Sequence, residues 1–139
     1  MIHLFYEDCD RFEKTIEQKV LKSVQLIEKE GFKAGDLSVV FCSDQYLLSL
    51  NKEYLKHDYF TDIITFSYND QNTISGDLFI SIDRVCENAK LQDVALLKEI
   101  LRVVIHGQLH LCGYNDKTQE DISVMRLKER EYLEMMGFT

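Results

Sequence analysis

Apolar side chains recur along this chain with two different periods, and the switches between them mark its elements. Residues 2 to 7, IHLFYE, alternate loosely and predict a first strand. From Asp10 onward Phe12, Ile16, Val20, Val24 and Ile27 recur at helical spacing as far as Gly31, which predicts an amphipathic helix of about five turns. DLSVVFCS (36–43) reads as a largely buried strand, and DQYLLSLNKEYL (44–55) as a helix capped by Asp44. Two more strands, 61–68 and 76–83, flank the polar segment NDQNTISG and predict a hairpin with a long connection. A helix from about Arg84 to Leu91 leads to residues 93–112, which are apolar on most sides; such a helix lies buried at the centre of a fold. TQED (118–121) has the pattern of a capping box and opens a last helix, ending about Met136 before Gly137. This order predicts one α+β domain over residues 1–139, a small mixed four-stranded sheet packed with about five helices.

Composition adds mainly exclusions. With 139 residues, 45% of them hydrophobic and 29% charged, the chain can bury one core without staples. It contains no proline, no repeat and no low-complexity linker. No apolar run approaches the ~20 residues of a membrane span. The start, MIHLFYEDCD, lacks the basic and small-residue features of a signal peptide. A cytoplasmic protein without membrane partners is expected. Cys9, Cys42, Cys86 and Cys112 form no C-x-x-C pair, so reduced, buried thiols are expected. The net charge of −8 argues against binding nucleic acid by bulk electrostatics, yet leaves room for one local basic groove.

The chemistry concentrates in HGQLHLCGYND, residues 106–116. On a helix, His106 and His110 project from one face a turn apart. Gly113 lets the chain leave that helix in a left-handed conformation, and the reversal can return Asp116 beneath the two rings. Two imidazoles and a carboxylate, with a fourth position open, make the donor set of a catalytic zinc-type site. Imidazoles on so apolar a helix are costly without partners, and a divalent ion supplies them. The spacing also matches the long zinc-peptidase pattern H-E-x-x-H-x-x-G-x-x-H. That chemistry needs a glutamate after the first histidine as general base, and Gly107 stands there.

The stretch is similar to HGxLHLxGYDH, the signature of the YbeY family of bacterial endoribonucleases. LNKEYLKHDYFTDIITFSY (50–68) resembles the family's LNxxYRxxDxPTDVLSFP, GDLFIS (76–81) resembles GDIxIS, and the final helix with Met125 and Glu129 follows in register. The resemblance implies a small α+β fold with one divalent metal per chain, zinc being the expected ion. It also implies cleavage of single-stranded RNA in 16S rRNA 3′-end maturation and ribosome quality control, with the small ribosomal subunit or its associated proteins as partners. Asp116 stands where the family usually has a third histidine; Asn115 is the weaker alternative donor. Leu55 replaces the family's arginine, and Phe60 its usual proline.

On this reading His106, His110 and Asp116 hold the metal, and no further catalytic residue is assigned. Metal-activated water is the expected nucleophile, with attack by the RNA 2′-hydroxyl left open. Substrate contacts are expected from Lys52, Lys56, His57 and Arg84; Arg102 lies in the buried helix, where pairing with an acid is its simpler role. Two alternatives stay open: a metallohydrolase of another substrate class, and a non-catalytic ribosome-assembly factor. In the latter a structural metal would have its fourth position closed, with Cys112 the nearest thiol.

Overall fold

In the computed structural model, which describes residues 1–138, the first strand and first helices are β1 (Ile2–Tyr6), α1 (Lys14–Lys22) and α2 (Gln25–Lys29). They are followed by β2 (Lys33–Cys42), α3 (Asp44–Leu55), β3 (Ile63–Ser67) and β4 (Thr73–Ser81). Three helices complete the chain: α4 (Ile82–Gln92), α5 (Leu96–Leu111) and α6 (Gln119–Met135). Leu37 and all four residues from Val39 to Cys42 are buried, a run that only a strand covered on both faces permits. β2 accordingly lies inside the sheet, whose order is β1-β2-β4-β3. β2 pairs in parallel with β1 and β4, and β3 closes the sheet antiparallel to β4, so the sheet is mixed as predicted.

Side-chain alternation assigns the two faces. From β4, Ile74, Leu78 and Ile80 point into the main core; Phe79 points the other way, with Ile64 of β3, against Leu47 of α3. Helix α3 thus covers one face, and α5 lies against β3 and β4 on the other, with α1, α2, α4 and α6 around it. The expectation of a central helix holds: Ile100, Leu101, Val104, Ile105 and Leu109 are inaccessible to solvent.

Four details differ from the sequence reading. The first predicted helix starts later, at Lys14, and is broken into α1 and α2, which makes six helical segments where about five were expected. At the break, the buried Ser23 hydroxyl donates to the Val20 carbonyl at 2.6 Å and accepts from Gln108 Nε2 at 2.8 Å. Backbone bonds from Leu26 and Ile27 shorten there to the i−3 carbonyls of Ser23 and Val24, a local 3₁₀ tightening. Second, Ser43 rather than Asp44 caps α3, its hydroxyl accepting from the Tyr46 N–H at 3.2 Å. Third, β4 begins at Thr73 inside the expected loop, since the Asp70–Thr73 bridge closes the hairpin early. Fourth, β4 ends at Ser81, because that side chain caps α4.

Candidate metal centre

Helix α5 carries His106 and His110 on its solvent-facing side, each partly exposed between buried neighbours. The rings stand edge to face with centroids 4.7 Å apart. The helix ends in a Schellman arrangement: Gly113 N–H donates to the His110 carbonyl and Tyr114 N–H to the Leu109 carbonyl, both at 3.0 Å. This closure requires the positive φ of Gly113, 108°. The chain reverses and brings Asp116 back over the helix just before α6. Thr118 starts that helix with the predicted capping box, accepting from the Asp121 N–H at 3.0 Å.

As a result Asp116 Oδ2 lies 3.5 Å from His106 Nε2 and 3.3 Å from His110 Nε2. Tetrahedral zinc ligation at ~2.0–2.2 Å separates donor atoms by roughly 3.3–3.6 Å. The three donors all lie within 4.8 Å of one another, so this group can hold a divalent ion. Among the described residues no fourth histidine, cysteine or carboxylate joins them. Cys112 packs instead with the main core, and burial, followed by the charge of Glu30, pushes its thiol up to about 12. A protonated, core-packed thiol is a poor fourth ligand.

Behind His106 stands a residue to which the sequence reading gave no role. Glu129 of α6 lies 2.6 Å from His106 Nδ1 and is 4% exposed. Burial by itself would raise its pKa, but the His106 hydrogen bond and the charge of Arg102 outweigh it and hold the carboxyl below the usual range. An ionised Glu129 accepts from Nδ1–H, which leaves the Nε2 lone pair free on the Asp116 side. Arg102 bonds Glu99 through Nε at 2.8 Å and Nη2 at 2.9 Å, bonds Glu129 through Nη1 at 3.2 Å, and lies 3.8 Å from Asp62. Its expected pairing with acid is what the structure contains. The available signal for Glu129 was positional: a carboxylate on the buried stripe of α6, one turn from both Met125 and Leu133.

Gly107 explains why no general base follows the first histidine. A Cβ there would come within 2.7 Å of Ile63 Cδ1 and 3.0 Å of Leu78 Cδ2. Position 107 therefore faces the sheet, and a glutamate would be driven into β3 and β4 rather than toward the three donors.

The four residues expected to contact substrate lie elsewhere. None lines the cavity of about 210 Å³ that contains His106 and Asp116. Lys52 pairs with Asp58 at 3.3 Å, and Lys56 is the exposed left-handed cap of α3. His57 stacks on Tyr59 with centroids 5.1 Å apart, its Nδ1 2.9 Å from the Tyr59 hydroxyl. Arg84 is held by Asp44 at 2.9 Å and Glu87 at 3.6 Å, over the Phe60 ring. Leu55 ends α3, 42% exposed and uncharged. No helix among the described residues is long and apolar enough to cross a membrane.

Comparison with known proteins gives one consistent answer. The family model described as endoribonuclease YbeY matches residues 5–137. A relative from Parabacteroides distasonis bearing that name is 49% identical over 109 residues, 78% of this chain and 77% of its own. One from Flavobacterium psychrophilum with the same name is 44% identical over 136 residues, covering 97% and 96% of the two chains. The solution structure of a Thermotoga maritima protein superposes with a TM-score of 0.70 at 27% identity, over 98% of this chain and 89% of that one.

Proposed function

The chain belongs to the YbeY family of endoribonucleases, and on that premise we propose that it cleaves single-stranded RNA at an ion held by His106, His110 and Asp116. Its role is endoribonucleolytic processing of ribosomal RNA. The finer parts of the proposal are zinc as the ion, the 3′ region of 16S rRNA as the substrate, and a small-subunit assembly intermediate as the setting. The observation that carries it is the approach of Asp116 to both imidazoles at 3.3–3.5 Å, one of the rings being held from behind by a buried carboxylate.

The donor set suits zinc, and the chemistry such an ion supplies when bound is Lewis acidity toward water and the phosphodiester. The protein's own residues prepare that position. Glu129 fixes the ring of His106 and its tautomer, and Arg102 keeps Glu129 ionised. Asp116 contributes the single negative charge of the donor set, so a dipositive ion held there would keep one net positive charge and attract phosphate. Ile122 and Met125 line the same cavity and keep part of its wall dry. Glu129 is committed to His106 and Arg102, so it is not free to act as general base.

Cleavage of a fluorescently labelled single-stranded RNA by zinc-loaded protein tests this reading. Wild type is expected to cut it, and His110→Ala, folded by circular dichroism, to lose more than ~10²-fold in rate. Equal rates in the two proteins would overturn the proposal.

A further inference from the structure

The cavity beside His106 does not end at the three donors. It shares Arg102, Arg126 and Glu129 with a second cavity of about 330 Å³, which continues along α6 past Arg130 to Phe138. The two form one trough that starts at the candidate metal centre. Beyond the candidate ligand Asp116, only Glu99 and Glu129 contribute acid to its walls, and both are taken up by Arg102, Glu129 also by His106. Arg126 and Arg130 are exposed, and neither has an ion-pair partner among the described residues. Two uncommitted guanidinium groups in one groove are notable in a chain of net charge −8. Exposed arginines on a helix are often merely solvated, but these two line the walls that lead away from His106.

We propose that this trough is the track of the RNA backbone, with Arg126 binding the phosphate next to the scissile one and Arg130 the phosphate beyond it. The inference rests on the RNA-cleaving reading above. Positions 126 and 130 lie on one face of α6, about 6 Å apart along its axis. That step is comparable to the separation of successive phosphates in an extended single strand. Guanidinium groups bind phosphate oxygens through paired N–H donors, giving contacts that fix the register of a strand without reading its bases. The track also reconciles an acidic protein with an RNA substrate, because the positive potential is confined to one groove.

The test is fluorescence anisotropy of a labelled single-stranded RNA oligonucleotide over a series of salt concentrations. Wild type is compared with Arg126→Ala/Arg130→Ala and with Lys22→Ala/Lys29→Ala, which removes the same charge from a different cavity. The arginine variant is expected to bind roughly tenfold or more weakly, with the slope of log K against log salt shallower by about 1.4. Its metal content should equal that of wild type, and the lysine variant should match wild type in slope. If the two double variants behave alike while wild type binds and cleaves RNA, the track is wrong and the cleavage reading stands. If wild type neither binds nor cleaves RNA, the cleavage reading fails and takes the track with it.

Discussion

At the scale of single residues, the contact between His106 Nδ1 and Glu129 at 2.6 Å sets which lone pair the imidazole can offer. Replacing Glu129 by glutamine keeps the shape but removes the charge that orients Nδ1–H. Glu129→Gln is expected to lower zinc affinity by roughly 10–100-fold, read by competition with a fluorescent chelator. Cys112 provides the contrasting case. Its thiol is packed in the core and pushed up to about 12, so Cys112→Ala should leave metal stoichiometry unchanged while lowering stability modestly. Loss of metal in that variant would place the sulfur at the site. The donors His106, His110 and Asp116 were legible in the sequence because helix spacing and a glycine corner bring them together. Glu129 and Arg126 were not assigned, since they enter from α6, and nothing in one sequence states how that helix docks on α5.

Among the elements, the corner from α5 to α6 governs the site. Gly113 holds φ at 108° with open space around its Cα, so a side chain there meets backbone strain and no clash. Gly113→Ala should cost about 1–2 kcal/mol in urea denaturation and also weaken metal binding, because Asp116 lies three residues beyond the strained turn. A variant as stable as wild type would argue that the turn has an alternative closure. Most element types could be read from periodicity, including the mixed sheet, the hairpin and the buried α5. The errors arose where a tertiary contact overrode a continuous pattern. Val20, Val24 and Ile27 keep helical spacing across the break at Ser23, whose hydroxyl is claimed by Gln108 from α5. Asp44 looked like a cap but serves instead as partner to Arg84 and Ser81.

Across the whole molecule, Glu30 at the end of α2 ties the distant parts of the site together. Tyr114, from the loop that leads to Asp116, donates to it at 2.6 Å; Lys128 and Tyr132 of α6 bind the same carboxylate. Burial alone would raise its pKa, but these three donors hold it below its ordinary value of 4.5. A carboxyl depressed on folding contributes stability that is complete above its ordinary value and is lost as pH falls through the folded one. Glu30→Gln should therefore be less stable than wild type at pH 7, with a flatter dependence of stability on pH below 4.5. Parallel curves from urea denaturation would show that the carboxylate contributes nothing specific. Through this node the fold presents three donors from two segments as one site, and occupancy by an ion is the most direct test of that account. Metal content by mass spectrometry on untagged protein, prepared without chelators, should give about one equivalent of zinc per chain in wild type and a large loss in Asp116→Ala. A wild type that stays metal-free even after zinc is supplied, or an Asp116→Ala variant that keeps a full equivalent, would contradict it.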